Sequence, residues 1–297
     1  MATVHANGIE FRVNRYRTGP EGPRPVIVFV HGLAVDNSGW SFTLGMPLAT
    51  SADVVTYALR GHGRSQLVPS GYRLRDHADD LVALLDALDI TEPVHVVGGS
   101  YGGAIGIVAA IAHPERIASL FLIDAQLPTP GWTDLFLGHL ERIAEALRGD
   151  YSLDQVMQLF DLTSRRKARL LVERGKRLLL ATSLLEDLRT EPPVDPADFA
   201  LVRCPVLAVY GERSEIRNMA DQLPTLVPHA EVVLTPGADH KATFLQPGEL
   251  RTLIRRFVGL PEADGGGDGR VSRPPAGPAA APTAHRDGGA PLAVTES

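Results

Sequence analysis

The sequence predicts an α/β protein built on a mostly parallel, open sheet with helices on both faces. Three observations lead there. Short runs of Val, Ile and Leu recur without polar–apolar alternation, as strands buried on both faces do. Helical patterns fall between several of these runs, so strand and helix alternate along the chain. With 297 residues, the chain is long enough for one large domain with a substantial core.

The elements can be justified in order. GIEFRVNRY (8–16) reads as a hairpin strand at an antiparallel edge. PVIVFV (25–30) and DVVTYAL (53–59) read as buried strands bounded by Pro, Gly or polar residues. HADDLVALLDALDI (77–90) has one apolar face and predicts a helix lying on the sheet. PVHVVG (93–98) is the next strand. AIGIVAAIAH (104–113) is apolar all round and predicts a buried helix. ASLFLI (118–123) follows as a strand. The alternation then stops. From about 128 to 196 the pattern is helical throughout, as in 133–148 and 164–188. A helical insertion between two sheet strands is expected to form a cap over the carboxyl edge, where open α/β sheets bind ligands. PVLAVY (205–210) and EVVLTP (231–236) return to the sheet. The domain expectation is a core of 1–127 and 197–260 with a cap of 128–196. The remainder, 261–297, is rich in Pro, Gly and Ala and predicts a disordered tail.

Composition narrows the function classes. Hydrophobic residues make up 44%, charged residues 22%, and the net charge is −6. That mild acidity argues against a general nucleic-acid binder, which needs a basic surface. The single cysteine, Cys204, leaves no intrachain disulfide to form. MATVHANGIEF lacks the basic start and apolar stretch of a signal peptide, and no run is long enough to span a membrane. The expected location is cytoplasmic, without a membrane partner.

One motif carries chemistry. GGSYG (98–102) follows a strand and precedes the buried helix, which is G-x-S-x-G in the context its chemistry needs. A sharp turn projects Ser100 from the tip of the sheet, and small neighbours relieve the crowding. The helix N-terminus beside it offers backbone N–H groups to a forming oxyanion.

In this light the chain resembles the α/β-hydrolase superfamily over roughly residues 8–260. VFVHGLAVDNSGW (28–40) resembles the family's HG oxyanion loop, LRGHGRS (59–65) its RGxGxS turn, and GGSYGG (98–103) its nucleophile elbow. HPERIASLFLIDA (113–125) resembles the helix end and following strand. GADHKATFLQP (237–247) resembles the segment carrying the catalytic histidine. The resemblance implies Ser100 as nucleophile, His240 as base, and the N–H groups of Tyr101 and Leu33 as oxyanion hole. It gives His31 and His62 architectural roles. The chain order of serine, acid and histidine fits the fold.

The acid departs from the pattern. The family's usual Gly-x-x-Asp after the penultimate strand reads Gly211-Glu212-Arg213-Ser214 here, and serine cannot stabilise an imidazolium as a carboxylate does. Two replacements stay open at this point. Glu215 lies one residue further on, and Asp124 ends the strand SLFLID, where some superfamily members carry their acid. Asp239 and Glu212 are lesser candidates.

Leu135, Phe136, Leu159, Phe160, Leu178, Leu179, Leu180, Leu184 and Leu185 give the cap apolar positions. Trp40 and Trp132 are candidate substrate-binding walls. The basic run from Arg165 to Arg177 reads as a solvated face or as a contact for an acyl-CoA or acyl-carrier thioester. No cofactor or metal is expected. The reading is a serine hydrolase cleaving an ester, thioester or lactone of a hydrophobic small molecule through an acyl-enzyme. Acyl transfer, carbon–carbon bond hydrolysis, elimination and non-catalytic ligand binding are the alternatives.

Overall fold

The computed structural model describes residues 1–261 other than 20, 150–153, 156, 158–163 and 245, with the side chains of 135, 139, 167, 168, 171 and 242 also left aside. The 261–297 tail expectation, beyond Pro261, and the positions Leu159 and Phe160 lie outside the described residues.

Eight strands form one sheet: β1 (Ala2–Ala6), β2 (Ile9–Tyr16), β3 (Val26–Val30), β4 (Asp53–Tyr57), β5 (Val94–Gly99), β6 (Ile117–Ile123), β7 (Val206–Gly211) and β8 (Glu231–Thr235). Their order is β1-β2-β4-β3-β5-β6-β7-β8. β1 and β2 pair antiparallel, as do β2 and β4, while β4 through β8 run parallel. β1 is an addition to the strands expected from the sequence. Asn7 and Gly8 turn the chain with φ of 48° and 72°, which is the two-residue geometry favoured in hairpins.

Unalternating strands are buried on both faces here. Val28, Val30, Leu120, Leu122, Ala208 and Tyr210 join one core cluster. Their neighbours Ile27, Phe29, Phe121, Ile123 and Val209 join the other. β3, β6 and β7 thus feed two hydrophobic layers, and helices cover both.

The helix predicted over 77–90 runs over Leu74–Ala87. It starts early because Asp76 accepts a hydrogen bond from the Arg73 N–H (3.0 Å) and satisfies the first turn. The helix predicted over 104–113 begins at Tyr101, directly after the motif serine. Between β6 and β7 the chain is not helical throughout. Helices span Asp134–Arg148, Arg165–Gly175 and Leu184–Arg189, with a wide turn at Lys176–Leu180. The predicted helix 164–188 breaks at a bend over 181–183, where the Thr182 hydroxyl accepts the Leu184 N–H (3.2 Å) just before the next helix. Among the described residues, no helix is long and apolar enough to cross a membrane.

Candidate active site

β5, β6 and β7 are neighbours, and their carboxyl ends align. Gly99 faces Ile123 and Ile123 faces Val209 in register. The residues following β5 and β6 therefore fall at one edge, beside the end of β7, which runs on to Gly211. Ser100 follows β5 and donates its N–H to the Ile123 carbonyl (3.0 Å). Asp124 follows β6 and donates its N–H to the Val209 carbonyl (2.7 Å).

Ser100 has φ 51° and ψ −121°, a region few residues with a side chain adopt. The glycines around it explain how the turn is tolerated. A Cβ on Gly102 would lie 2.0 Å from the Val30 carbonyl oxygen, and one on Gly103 would lie 2.3 Å from the Ala125 Cβ. A Cβ on Gly99 would strike Phe244 and Trp40 at 2.6 and 2.7 Å. The helix can begin directly beneath the serine only because these positions are bare. Gly32 lets its own loop pass just as close, since a Cβ there would lie 3.3 Å from the Ser100 Cβ.

Two buried histidines brace that loop. His31 Nε2 accepts the Leu59 N–H (3.0 Å), and its Nδ1–H donates to the Gly32 carbonyl (2.7 Å). His62 Nε2 accepts the Ala34 N–H (3.1 Å), and its Nδ1–H donates to the Arg60 carbonyl (2.8 Å). Burial lowers His31 to about 3 and His62 to about 4, so both stay neutral. Leu33 sits between these anchors and lines the cleft with Ser100. Among the described residues, neither the Leu33 nor the Tyr101 N–H has a protein acceptor. Tyr101 opens a helix, so its N–H has no partner within the helix.

His240 opens the short helix His240–Phe244 after β8. Its Nδ1 lies 2.5 Å from Asp124 Oδ2. Asp124 is fully buried. It also accepts the Gly211 N–H at Oδ1 (2.8 Å) and the Ser214 hydroxyl at Oδ2 (2.5 Å). Three donors thus converge on one carboxylate and fix where its oxygens point.

Asp124 meets His240, whereas Glu215 does not: Glu215 is exposed on the loop beyond Ser214. One residue of slip along that loop turns the side chain from the site to solvent, which corrects the Glu215 alternative. Glu212 accepts the Gly237 N–H (2.7 Å), and the Arg213 N–H donates to the Ala238 carbonyl (2.8 Å). These two residues tie the β7 loop to the loop carrying His240. The sequence reading missed this tie and the hydroxyl donation by Ser214. It also missed Gln126, a buried residue whose N–H donates to the Ser100 carbonyl (3.1 Å). The only sequence signal for Ser214 was its place in the Gly-x-x-Asp frame.

A cleft of about 520 Å³ holds Ser100 and His240 in its wall, with Leu33, Trp40, Leu44 and Phe244. Trp40, a candidate wall from the sequence, lines this cleft. Trp132 is not part of this wall. It is buried and stacks on the Tyr101 ring, with centroids 6.3 Å apart. The Tyr101 hydroxyl donates to the Tyr72 carbonyl (3.1 Å). The same stretch holds the inserted helices: the Tyr72 N–H donates to Asp187 (2.9 Å) and the Leu74 N–H to Glu191 (3.0 Å). Burial pushes Glu191 up to about 7. Among the described residues, no three His, Cys, Asp or Glu side chains converge as a metal-ligand set.

Comparison with known proteins agrees with this architecture. A family model described as the alpha/beta hydrolase fold matches residues 25–195, more than half of the chain. The dihydrolipoyllysine-residue acetyltransferase component of the acetoin cleaving system of Pseudomonas putida is 28% identical, over 82% of this chain and 65% of its own length. The non-heme chloroperoxidase of Streptomyces lividans is 34% identical over 37% of this chain and 40% of its own length. The chain thus spans less than two thirds of the length of either relative. Among solved structures, the enol-lactonase from Burkholderia xenovorans LB400 superposes with a TM-score of 0.64 at 19% identity, covering 87% of this chain and all of that one. At that identity the likeness is one of fold.

Proposed function

The chain belongs to the α/β-hydrolase fold family, and from this premise we propose that it is a serine hydrolase acting on an ester, thioester or lactone of a hydrophobic small molecule. One observation carries the reading: Ser100 stands on a left-handed turn in the same cleft wall as His240, and His240 Nδ1 is 2.5 Å from the buried Asp124. In this reading His240 takes the Ser100 hydroxyl proton as Ser100 attacks the carbonyl carbon. The Leu33 and Tyr101 N–H groups receive the negative charge on the carbonyl oxygen. His240 then passes the proton to the leaving oxygen, sulfur or ring alkoxide. Water, deprotonated by His240, attacks the acyl-enzyme, and Ser100 leaves with the proton restored. Asp124 holds the imidazole tautomer and offsets the imidazolium charge.

Residues 1–127 and 197–260 form the catalytic core, and 128–196 form a cap whose anchors at Asp187 and Glu191 support the stretch under Tyr101. Acyl transfer is the second reading. It draws support from the acetyltransferase named among the relatives, and an alcohol or thiol would then replace water. A fluorophosphonate probe tests the main reading. Wild type should be labelled at Ser100, Ser100→Ala should not, and para-nitrophenyl esters should turn over only in the former. An unlabelled wild type would favour a ligand-binding protein. Product analysis with competing alcohols separates hydrolysis from transfer.

A further inference from the structure

The cleft beside Ser100 has apolar walls and few polar groups. Trp40, Leu44, Phe244 and Leu250 supply the apolar part. Nearly every polar side chain in the wall is already engaged. Asp36 Oδ2 is paired with Arg174 (2.8 Å), and Oδ1 accepts the Ser38 hydroxyl (2.5 Å). The Thr43 hydroxyl donates to the Gly39 carbonyl (2.6 Å). His240 is held by Asp124, and Ser100 is the reacting group. Lys241 remains. It lines the same cleft, directly follows His240 in the chain, and has no hydrogen-bond or ion-pair partner among the described residues.

The charge balance of the wall is therefore uneven. Asp36 already has its cation, an arginine from the inserted helices. A cleft with apolar sides and one unneutralised ammonium favours an apolar body carrying one anionic group. The anion would replace part of the lysine's water shell by a charge-assisted contact.

We propose that Lys241 is a specificity-determining residue, and that the substrate is a carboxylated ester, thioester or lactone whose carboxylate lies at Lys241 while its carbon chain lies against Trp40 and Phe244. This rests on the hydrolase reading for the reaction, but the binding preference can be measured apart from it. Lysine is a mobile point charge, so the preference concerns charge and not a fixed bidentate geometry. Arginine should substitute for it.

The test compares the para-nitrophenyl ester of hexanoic acid with the mono-para-nitrophenyl ester of adipic acid, which differ by a terminal carboxylate. Wild type should favour the carboxylated ester. Lys241→Met should lose about tenfold or more in kcat/KM on that ester, mainly through KM, as for other hydrogen bonds to charged groups. Its rate on the neutral ester should stay within about twofold, and Lys241→Arg should restore the preference. High salt should erode the preference in wild type. Equal losses on both esters, or no preference in wild type, would overturn the proposal and leave the hydrolase reading intact. Binding of the two esters is also measured by equilibrium dialysis in the Ser100→Ala background, with and without Lys241→Met. If wild type fails to hydrolyse or to be labelled, this arm decides. A Lys241-dependent preference for the carboxylated ester supports the selectivity while the hydrolase reading falls. Its absence overturns both.

Discussion

Two neighbouring strand tips divide one task. The tip of β6 is followed directly by Asp124. The tip of β7 is followed by a short loop to Ser214, which occupies the place a carboxylate usually takes. In the structure the two side chains meet: the Ser214 hydroxyl donates to Asp124, and His240 sits on the same oxygen. The position on β7 carries a polar group aimed at Asp124, as a donor. In the proposed triad the carboxylate, Asp124, comes from one strand over. The site needs a carboxylate at a point in space, and adjacent strand ends in a parallel sheet can each supply it.

The division of labour between the two strand tips rests most heavily on Asp124. Asp124→Asn should lower kcat by about 10³–10⁴-fold, as for other triad acids, with KM little changed. Steady-state kinetics on a para-nitrophenyl ester reads this directly. Wild-type turnover in that variant would remove Asp124 from the mechanism. A smaller effect sharpens the division of labour. Ser214→Ala removes one of three donors and should cost about tenfold in kcat, the scale of a single hydrogen bond to a charged group. Ser214→Thr, which keeps the hydroxyl, should recover most of that loss. An unaffected Ser214→Ala would mean that the β7 tip only fills space.

pH separates the loop braces from the anchor of the inserted helices. His31 and His62 are neutral when folded, with values of about 3 and about 4 against an ordinary 6.5. Their contribution to stability is present above 6.5 and falls away as pH drops toward 4 and 3. Glu191 works in the opposite direction, raised from 4.5 to about 7. Its contribution is full below 4.5 and is lost as pH rises through 7. Melting temperatures from pH 4 to 9 should therefore fall at the acid end in wild type. Glu191→Gln should remove part of the alkaline decline and leave the acid limb unchanged. Parallel curves for wild type and Glu191→Gln would refute the anchor's titration. The smallest expected change is at Glu215→Gln, which should stay within about twofold of wild type in kcat and KM, as for other exposed surface positions.

Some of this division was legible in the sequence. The parallel sheet was readable because its strands are apolar on both faces, and the sharp turn at Ser100 because glycine is required where backbones nearly touch. The inserted helices were read as more continuous than they are, since a bend at 181–183, with the Thr182 hydroxyl accepting the Leu184 N–H, interrupts a favourable helical pattern. β1 was missed, although Asn7-Gly8 is a strong hairpin signal. The acid could not be settled from sequence, because Asp124 and His240 meet through strand register and loop docking across 116 residues. Nothing local marks Asp124 as facing His240 or Glu215 as facing solvent. Ser214 reads as a missing carboxylate in the sequence; in the fold its hydroxyl donates to Asp124.

The most direct test of the moved carboxylate is the proton on His240 Nδ1. In proton NMR of the wild-type protein, a hydrogen bond to the buried Asp124 should place this resonance far downfield of ordinary amides. It should persist in Glu215→Gln and vanish in Asp124→Asn. A resonance that survives Asp124→Asn and disappears with Glu215→Gln would contradict the account and return the acid to the β7 loop.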